Sequence, residues 1–321
     1  MTPEQFSTTI DAIRNELAKV IVGQRDLVDT VLRAVVCEGH VLLEGVPGLG
    51  KTKLLHTLGS VLSVQFGRVQ FTPDLMPADI LGTNVLVEGR FQFHEGPVFS
   101  NLLLADEVNR ATPKTQSALL EAMQERRVTL GGETHSLPEP FFVMATQNPI
   151  EMEGTYPLPE AQLDRFLFKA VVPMPEVDDL VEILQRTTSD RDEHVDAVAD
   201  GKNLIDMARL VREVPVGSHL LRYAARLVRA THPANPEAPE LVKRYVRYGA
   251  SPRAAQAMIL GGKASALTAG RPNVAAEDLW SVALSALRHR LVLGYEATAD
   301  GITADNLVDA VLEHHPMPVA E

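Results

Sequence analysis

Gly45-Val46-Pro47-Gly48-Leu49-Gly50-Lys51-Thr52 is the stretch on which the fold turns. It matches the pattern G-x-x-x-x-G-K-[ST], and each part of the pattern has a physical reason. Glycines let the backbone curl until its N–H groups point inward at phosphate oxygens. A helix predicted to begin at Lys51 adds the partial positive charge of its N-terminus. Lys51 is placed to reach β- and γ-phosphates, and Thr52 offers a hydroxyl to Mg²⁺. An apolar run at 41–43 precedes the loop, and a helical pattern over 51–62 comes after it. Strand, glycine-rich loop and helix make the first unit of a parallel α/β sheet. A chance match in a turn is the alternative, and the flanking strand and helix weigh against it.

The second half of the pattern is Leu102-Leu103-Leu104-Ala105-Asp106-Glu107. An apolar strand that ends in two acids puts both carboxylates at the carboxyl edge of the sheet, where open α/β sheets bind ligands. Asp106 would hold Mg²⁺ through water, and Glu107 would polarise an attacking water. Taken alone, this could be a strand followed by two solvated acids. With the loop, it points to ATP hydrolysis rather than binding only. The chain has no Asn-Lys-x-Asp segment of the kind that reads guanine.

Outward from these segments, helices are predicted over 9–20 and 26–37. Further buried strands are expected at 102–105, 141–145 and 166–172. Residues 85–87 and 91–93 flank Glu88-Gly89-Arg90, and 128–130 and 134–137 flank Gly131-Gly132-Glu133. Both read as hairpins inserted into the sheet. After Pro173-Met174-Pro175 the chain turns helical in period, at 180–186, 204–211, 219–230, 254–269, 277–287 and 304–312, with strand signals scarce. Residues 235–248 read as a loop with a short helix. The expected organisation is an α/β nucleotide-binding core over 1–173 and an α-helical domain over 174–321.

With 321 residues the chain has room for two domains or one large one. Hydrophobic residues make up 45% and charged residues 22%, a globular and not a disordered balance. The formal net charge of -12 argues against broad attraction to nucleic acid or anionic membrane. The single cysteine, Cys37, excludes an intrachain disulfide and reads as a small core residue. No secretory signal and no membrane-spanning run is read, so a cytoplasmic location is expected. The ten histidines form no metal-ligand spacing, and no G-x-S-x-G segment appears. His289, between Arg288 and Arg290 at a helix end, reads as a positive charge that suits the helix dipole. Trp280 reads as core.

Over nearly its whole length the chain resembles the MoxR-family AAA+ ATPases. The resemblance is carried by Ile21-Val22-Gly23-Gln24, by the run from Gln70-Phe71-Thr72-Pro73-Asp74 to Gly82, and by Asp106-Glu107-Val108-Asn109-Arg110-Ala111. The next run, from Lys114-Thr115-Gln116 to Glu125, is highly characteristic of the family. It implies a P-loop AAA+ core with parallel sheet and inserted hairpins, followed by an all-α lid. Val22, Gly23 and Gln24 then lie against adenine. Ala145-Thr146-Gln147-Asn148-Pro149 resembles the sensor-1 strand, with Asn148 helping Glu107 orient water; a strand-ending Asn in a turn is the plainer alternative. Leu158-Pro159-Glu160-Ala161-Gln162-Leu163-Asp164-Arg165-Phe166 resembles the segment bearing the arginine finger, with Arg165 pointing into a neighbouring subunit's site; an Arg165–Asp164 surface feature is the plainer alternative. Ser251-Pro252-Arg253 resembles sensor 2. Ser251 is a good N-cap and Pro252 a good first helical residue, so Arg253 falls in the first turn of a lid helix.

Arg110 is a weaker candidate for an intersubunit contact. Gln70, on the strand preceding Thr72, is a candidate for holding Glu107 in an inactive pose. The resemblance further implies ATP and Mg²⁺ as ligands and a homo-oligomeric, hexameric ring. It also implies a chaperone-like role on a protein client, such as a von Willebrand factor A domain protein or a metalloenzyme under maturation. A DNA-linked motor and an ATP-assembled scaffold with little turnover are the rival readings. The first is opposed by a hairpin tip, Gly131-Gly132-Glu133, that carries no Lys or Arg.

Overall fold

Five buried or half-buried strands build the central sheet of the computed structural model, which describes residues 1–46, 48–148, 154–189 and 194–318. β1 is Val41–Glu44, β2 Phe66–Gln70, β5 Leu102–Asp106, β8 Phe142–Gln147 and β9 Phe168–Val171. Their order is β2-β5-β8-β1-β9, and the pairs β2/β5, β5/β8 and β1/β8 are parallel. β1, β5 and β8 are apolar because both faces of a central parallel strand are covered; Leu42, Leu43, Leu103, Leu104, Val143 and Met144 are all fully buried. The helix Lys51–Val61 packs on β2 and β5, with Leu54, Leu55 and Leu58 at no exposure.

The inserted segments are two antiparallel hairpins. β3 (Gly82–Val87) pairs with β4 (Arg90–Glu95), and β6 (Arg127–Leu130) pairs with β7 (Glu133–Ser136). On the first, Leu86 and Phe91 face each other across the ladder and stay 62% and 75% exposed.

His40 ties β8 to the helix Pro113–Glu125. It accepts the Val143 N–H at Nδ1 (3.0 Å) and faces the Met123 carbonyl with Nε2 (3.2 Å). A carbonyl only accepts, so Nε2 carries the ring proton. Burial pushes its pKa down to about 4.

The chain divides into two compact units, but not at one boundary near Pro173. One unit comprises Thr9–Leu158 with Ala170–Ile205, and the other Met1–Thr8, Pro159–Lys169 and Asp206–Glu321. Two reasons are local. The helix Val177–Thr187, expected in the helical domain, is bound to the α/β unit: Arg186 Nη1 donates to the carbonyls of Ala18 (3.3 Å) and Lys19 (2.6 Å). The segment 159–169 is held instead by residues of the helical unit, Ser251, His289 and Arg290 among them.

In that helical unit, Pro252–Thr268 packs against Ala276–Leu287 and Ser218–Ala230. A Cβ on Gly262 would lie 2.7 Å from Leu279 Cδ2, so the absence of a side chain is what allows the close approach. Strand structure is not wholly absent: β10 (Val246–Tyr248) and β11 (Val292–Leu293) form a small antiparallel ribbon. Trp280 is 37% exposed and donates Nε1–H to Tyr223 (3.0 Å), so it is a boundary residue and not core. Cys37 is buried, as expected. No helix among the described residues is long and apolar enough to cross a membrane.

Candidate nucleotide site

The loop after β1 has the backbone that phosphate binding needs. Gly48 and Gly50 have φ of 86° and 73°, and a Cβ on either would meet nothing within 4 Å. The glycines therefore answer to backbone conformation, and the space above them is open. Gly45 differs: a Cβ there would lie 3.0 Å from Val172 Cβ. The Lys51 ammonium donates to the Gly45 carbonyl at 2.5 Å, folding the side chain back over the loop. Partial burial lowers its pKa, while the negative charges of Asp106 and Glu107 pull the other way. Pro47 falls outside the described residues.

Gly45, Gly48, Leu49, Gly50, Lys51, Thr52, Asp106, Glu107 and Asn148 all line one cavity of about 450 Å³. Parallel pairing explains this convergence. β1, β5 and β8 end together, so the residues just past each strand meet at one edge. Asn148 comes directly after β8 and is buried. A second cavity, of about 400 Å³, adjoins the loop and is lined by Val22, Gln24, Val46, Leu49, Leu180 and Ile183 among others. Its size and apolar lining suit a flat heteroaromatic group. Gln24 Nε2 donates to the Leu49 carbonyl at 3.0 Å, joining the two segments predicted to share the nucleotide. Gly23 turns at φ 73°, and a Cβ there would fall 2.1 Å from an Asp179 carboxylate oxygen.

The two acids are held by a network that the sequence did not reveal in full. Asp106 Oδ1 accepts from Thr146 Oγ1 (2.7 Å), and Asp106 Oδ2 accepts from Arg68 Nη2 (2.8 Å). The Arg68 Nη2 atom also donates to Gln70 Oε1 (2.8 Å). Gln70 Nε2 donates to Glu107 Oε2 (2.8 Å), which Arg110 Nη1 reaches at 3.2 Å. The Glu107 N–H donates to Thr146 Oγ1 at 2.8 Å, and Glu107 sits in left-handed backbone at φ 56°. Arg68 and Thr146 are the residues missed. The available signal was strand alternation: Arg68 lies two before Gln70, so both point to one face of β2.

The donor set suits Mg²⁺. One carboxylate, one hydroxyl and a cavity of about 450 Å³ leave room for phosphate and water oxygens, as that ion prefers. No cluster of three or more His, Cys, Asp or Glu that could cage a metal is found among the described residues.

Arg165 and Arg253 belong to the other compact unit. There Ser251 caps the helix Pro252–Thr268, accepting the Arg253 N–H at 3.2 Å, as its sequence predicts. The Arg253 guanidinium lies 3.5 Å from Asp164. His289 is not a charged helix-end residue. It is buried with Nε2 on the Phe166 carbonyl (3.1 Å), and burial drives its pKa well below the usual value, so it is neutral.

Comparison with known proteins places the chain in a family. The family described as the ATPase family associated with various cellular activities (AAA) matches residues 40–168, and the AAA lid domain matches residues 238–311. Chaperone MoxR1 of Mycobacterium tuberculosis is 45% identical over 312 residues, which is 97% of this chain and 82% of that one. Protein MoxR of Paracoccus denitrificans is 30% identical over 322 residues, covering 94% of each. The crystal structure of a protein from Cytophaga hutchinsonii matches with a TM-score of 0.93 at 39% identity, covering 99% of this chain and 97% of that one. Fold and site together define an AAA+ ATPase. Within that class, the chain belongs to the MoxR family.

Proposed function

We propose that this chain hydrolyses ATP with Mg²⁺ and couples turnover to remodelling a protein client, working as a homo-oligomeric ring, in the simplest case a hexamer. The observation that carries the reading is the single cavity that gathers Lys51, Thr52, Asp106, Glu107 and Asn148. In it, loop N–H groups and Lys51 bind phosphate, and Thr52 and Asp106 hold the cation's water shell. Bound Mg²⁺ would supply charge neutralisation on the phosphate oxygens. Glu107 orients and polarises the attacking water, and Asn148 steadies that water from the neighbouring strand. The apolar cavity at Val22 and Leu49 takes the base.

Arg165 acts in trans, on a nucleotide held by the adjacent subunit, and Arg253 reads phosphate from the lid helix. Mixing separates this from action within one chain. Arg165→Ala subunits bind ATP but offer no finger; Lys51→Ala subunits offer a finger but bind no ATP. A mixture should regain turnover that neither has alone. If Arg165→Ala alone hydrolyses ATP normally, the trans assignment is wrong.

A protein client is favoured over DNA by the exposed Leu86–Phe91 pair, since aromatic and aliphatic groups left in water mark protein contacts. The net charge of -12 and the Gly131-Gly132-Glu133 tip point the same way. A von Willebrand factor A domain protein or a metalloenzyme under maturation fits the family. The hold of Gln70 and Arg110 on Glu107 favours a variant of the reading in which basal turnover is low until a partner binds.

A further inference from the structure

Asp164, the residue before Arg165, is a heavily bonded carboxylate of the helical unit. Ser251 Oγ lies 2.9 Å from each of its oxygens, Arg290 Nε donates to Oδ1 at 2.7 Å, and Arg253 Nη1 stands 3.5 Å from Oδ2. The contacts differ in kind. The Arg290 side chain is 3% exposed and the Arg253 side chain 48%. Burial and short charge-assisted bonds make the first a fixed partner, while the second is a long, solvated pair.

Arg290 does more than neutralise Asp164. Its Nη2 donates to the carbonyls of Asp164 (3.2 Å) and Phe166 (2.7 Å), and its Nη1 to that of Leu167 (3.2 Å). One guanidinium thus grips the backbone on both sides of Arg165. His289 adds a fourth hold, on the Phe166 carbonyl. The sequence between 159 and 169 is bound into the helical unit by side chains more than 80 residues away. The same carboxylate that anchors the segment touches the head group of Arg253, the first-turn arginine of the lid helix.

We propose that Asp164 is a positioning residue for Arg165: fixed by Arg290 and Ser251, it sets the backbone from which Arg165 projects, and through Arg253 it ties that position to the lid helix. Because Arg253 is held loosely, a phosphate group can draw it away without breaking the Arg290 anchor. This inference rests on the trans role proposed for Arg165.

The test is a double-mutant cycle on the full chain, with Asp164→Asn, Arg165→Ala and the pair. ATP turnover is measured with the ATP concentration dependence, and a fluorescent ATP analogue reports binding. Asp164→Asn should lower kcat tenfold or more with KM and analogue affinity within twofold, and should add nothing once Arg165 is Ala. Multiplying effects in the pair would show that Asp164 acts independently, and normal turnover in Asp164→Asn would remove its role; either overturns the proposal. Normal turnover in Arg165→Ala instead defeats the finger assignment, and the proposal with it. Thermal unfolding checks that the variant is folded. If Asp164→Asn does not fold, Ser251→Ala carries the test, with a threefold or larger loss of kcat expected in the native background and none in Arg165→Ala; no loss, or an equal loss in both, overturns it.

Discussion

Gln70 and Glu107 are joined by a 2.8 Å hydrogen bond from the side-chain amide of one to Oε2 of the other, across adjacent parallel strands. A carboxylate so held is turned toward β2, with Oε2 engaged by donors where a water would have to bind. Replacing Gln70 by Ala removes that donor. Basal ATP turnover should rise roughly fivefold, the scale of a hydrogen bond to a charged group with partial solvent access, which is about 1 kcal/mol. Steady-state phosphate release checks it, and a fall in turnover would mean that Gln70 supports catalysis instead of restraining it.

Lys51 is costly to keep charged where it lies, since burial lowers its pKa. A lysine with a depressed folded pKa destabilises the fold while the unfolded chain is protonated, and the penalty fades as pH rises toward the unfolded value. Lys51→Met should therefore leave Tm without nucleotide unchanged or raised, while ATP with Mg²⁺ no longer raises it. Differential scanning fluorimetry with and without ATP reads both effects. A large loss of Tm without nucleotide would contradict the desolvation argument.

His40 makes stability fall in mild acid. Its folded pKa is about 4 against 6.5 unfolded, so its stabilising contribution is complete above 6.5 and is lost as pH falls toward 4. Between pH 7 and 5 the loss from this group is about 2 kcal/mol. Urea unfolding at the two pH values should show a difference smaller by that amount in His40→Gln, which keeps two polar ends but does not titrate. An unchanged difference would remove His40 as the cause.

Two glycines should respond differently to alanine. At Gly50 the added Cβ meets open space and only the φ of 73° is unfavourable, a cost of about 1–2 kcal/mol. At Gly23 the φ of 73° carries the same cost, and the Cβ would also fall 2.1 Å from an Asp179 carboxylate oxygen, so that side chain must turn away. Gly23→Ala should lower Tm more than Gly50→Ala and weaken binding of a fluorescent adenine nucleotide more than tenfold. Equal effects would show that the wall near Gly23 gives way easily.

Features legible in the sequence are those whose residues lie close together in it. Gly45 to Thr52 states its own turn, and Leu102 to Glu107 its own strand end. Ser251-Pro252-Arg253 states a cap, which the Ser251 bond confirms. Arg68 and Thr146 went unread because their roles depend on strand register: Gln70 stands opposite Asp106 and Ala145 opposite Ala105 only once β2, β5 and β8 are paired. The β10–β11 ribbon joins segments too short to show a period. The grouping of 159–169 with the helical unit and of 170–205 with the α/β unit went unread for a similar reason. Arg186 and Arg290 assign their segments through long-range bonds to backbone carbonyls, which leave no local pattern. His289 misled because flanking arginines suggest charge, whereas burial decides its state.

The central claim is that Glu107 activates water over a nucleotide held by Lys51 and Thr52. Glu107→Gln keeps the shape and an acceptor at that point but removes the base. Analogue binding and single-turnover hydrolysis should be measured on the same preparation. The prediction is ATP affinity within about twofold of the native protein and hydrolysis slower by about a hundredfold or more, the scale of one general base. Native-like hydrolysis in Glu107→Gln, with binding intact, would contradict it.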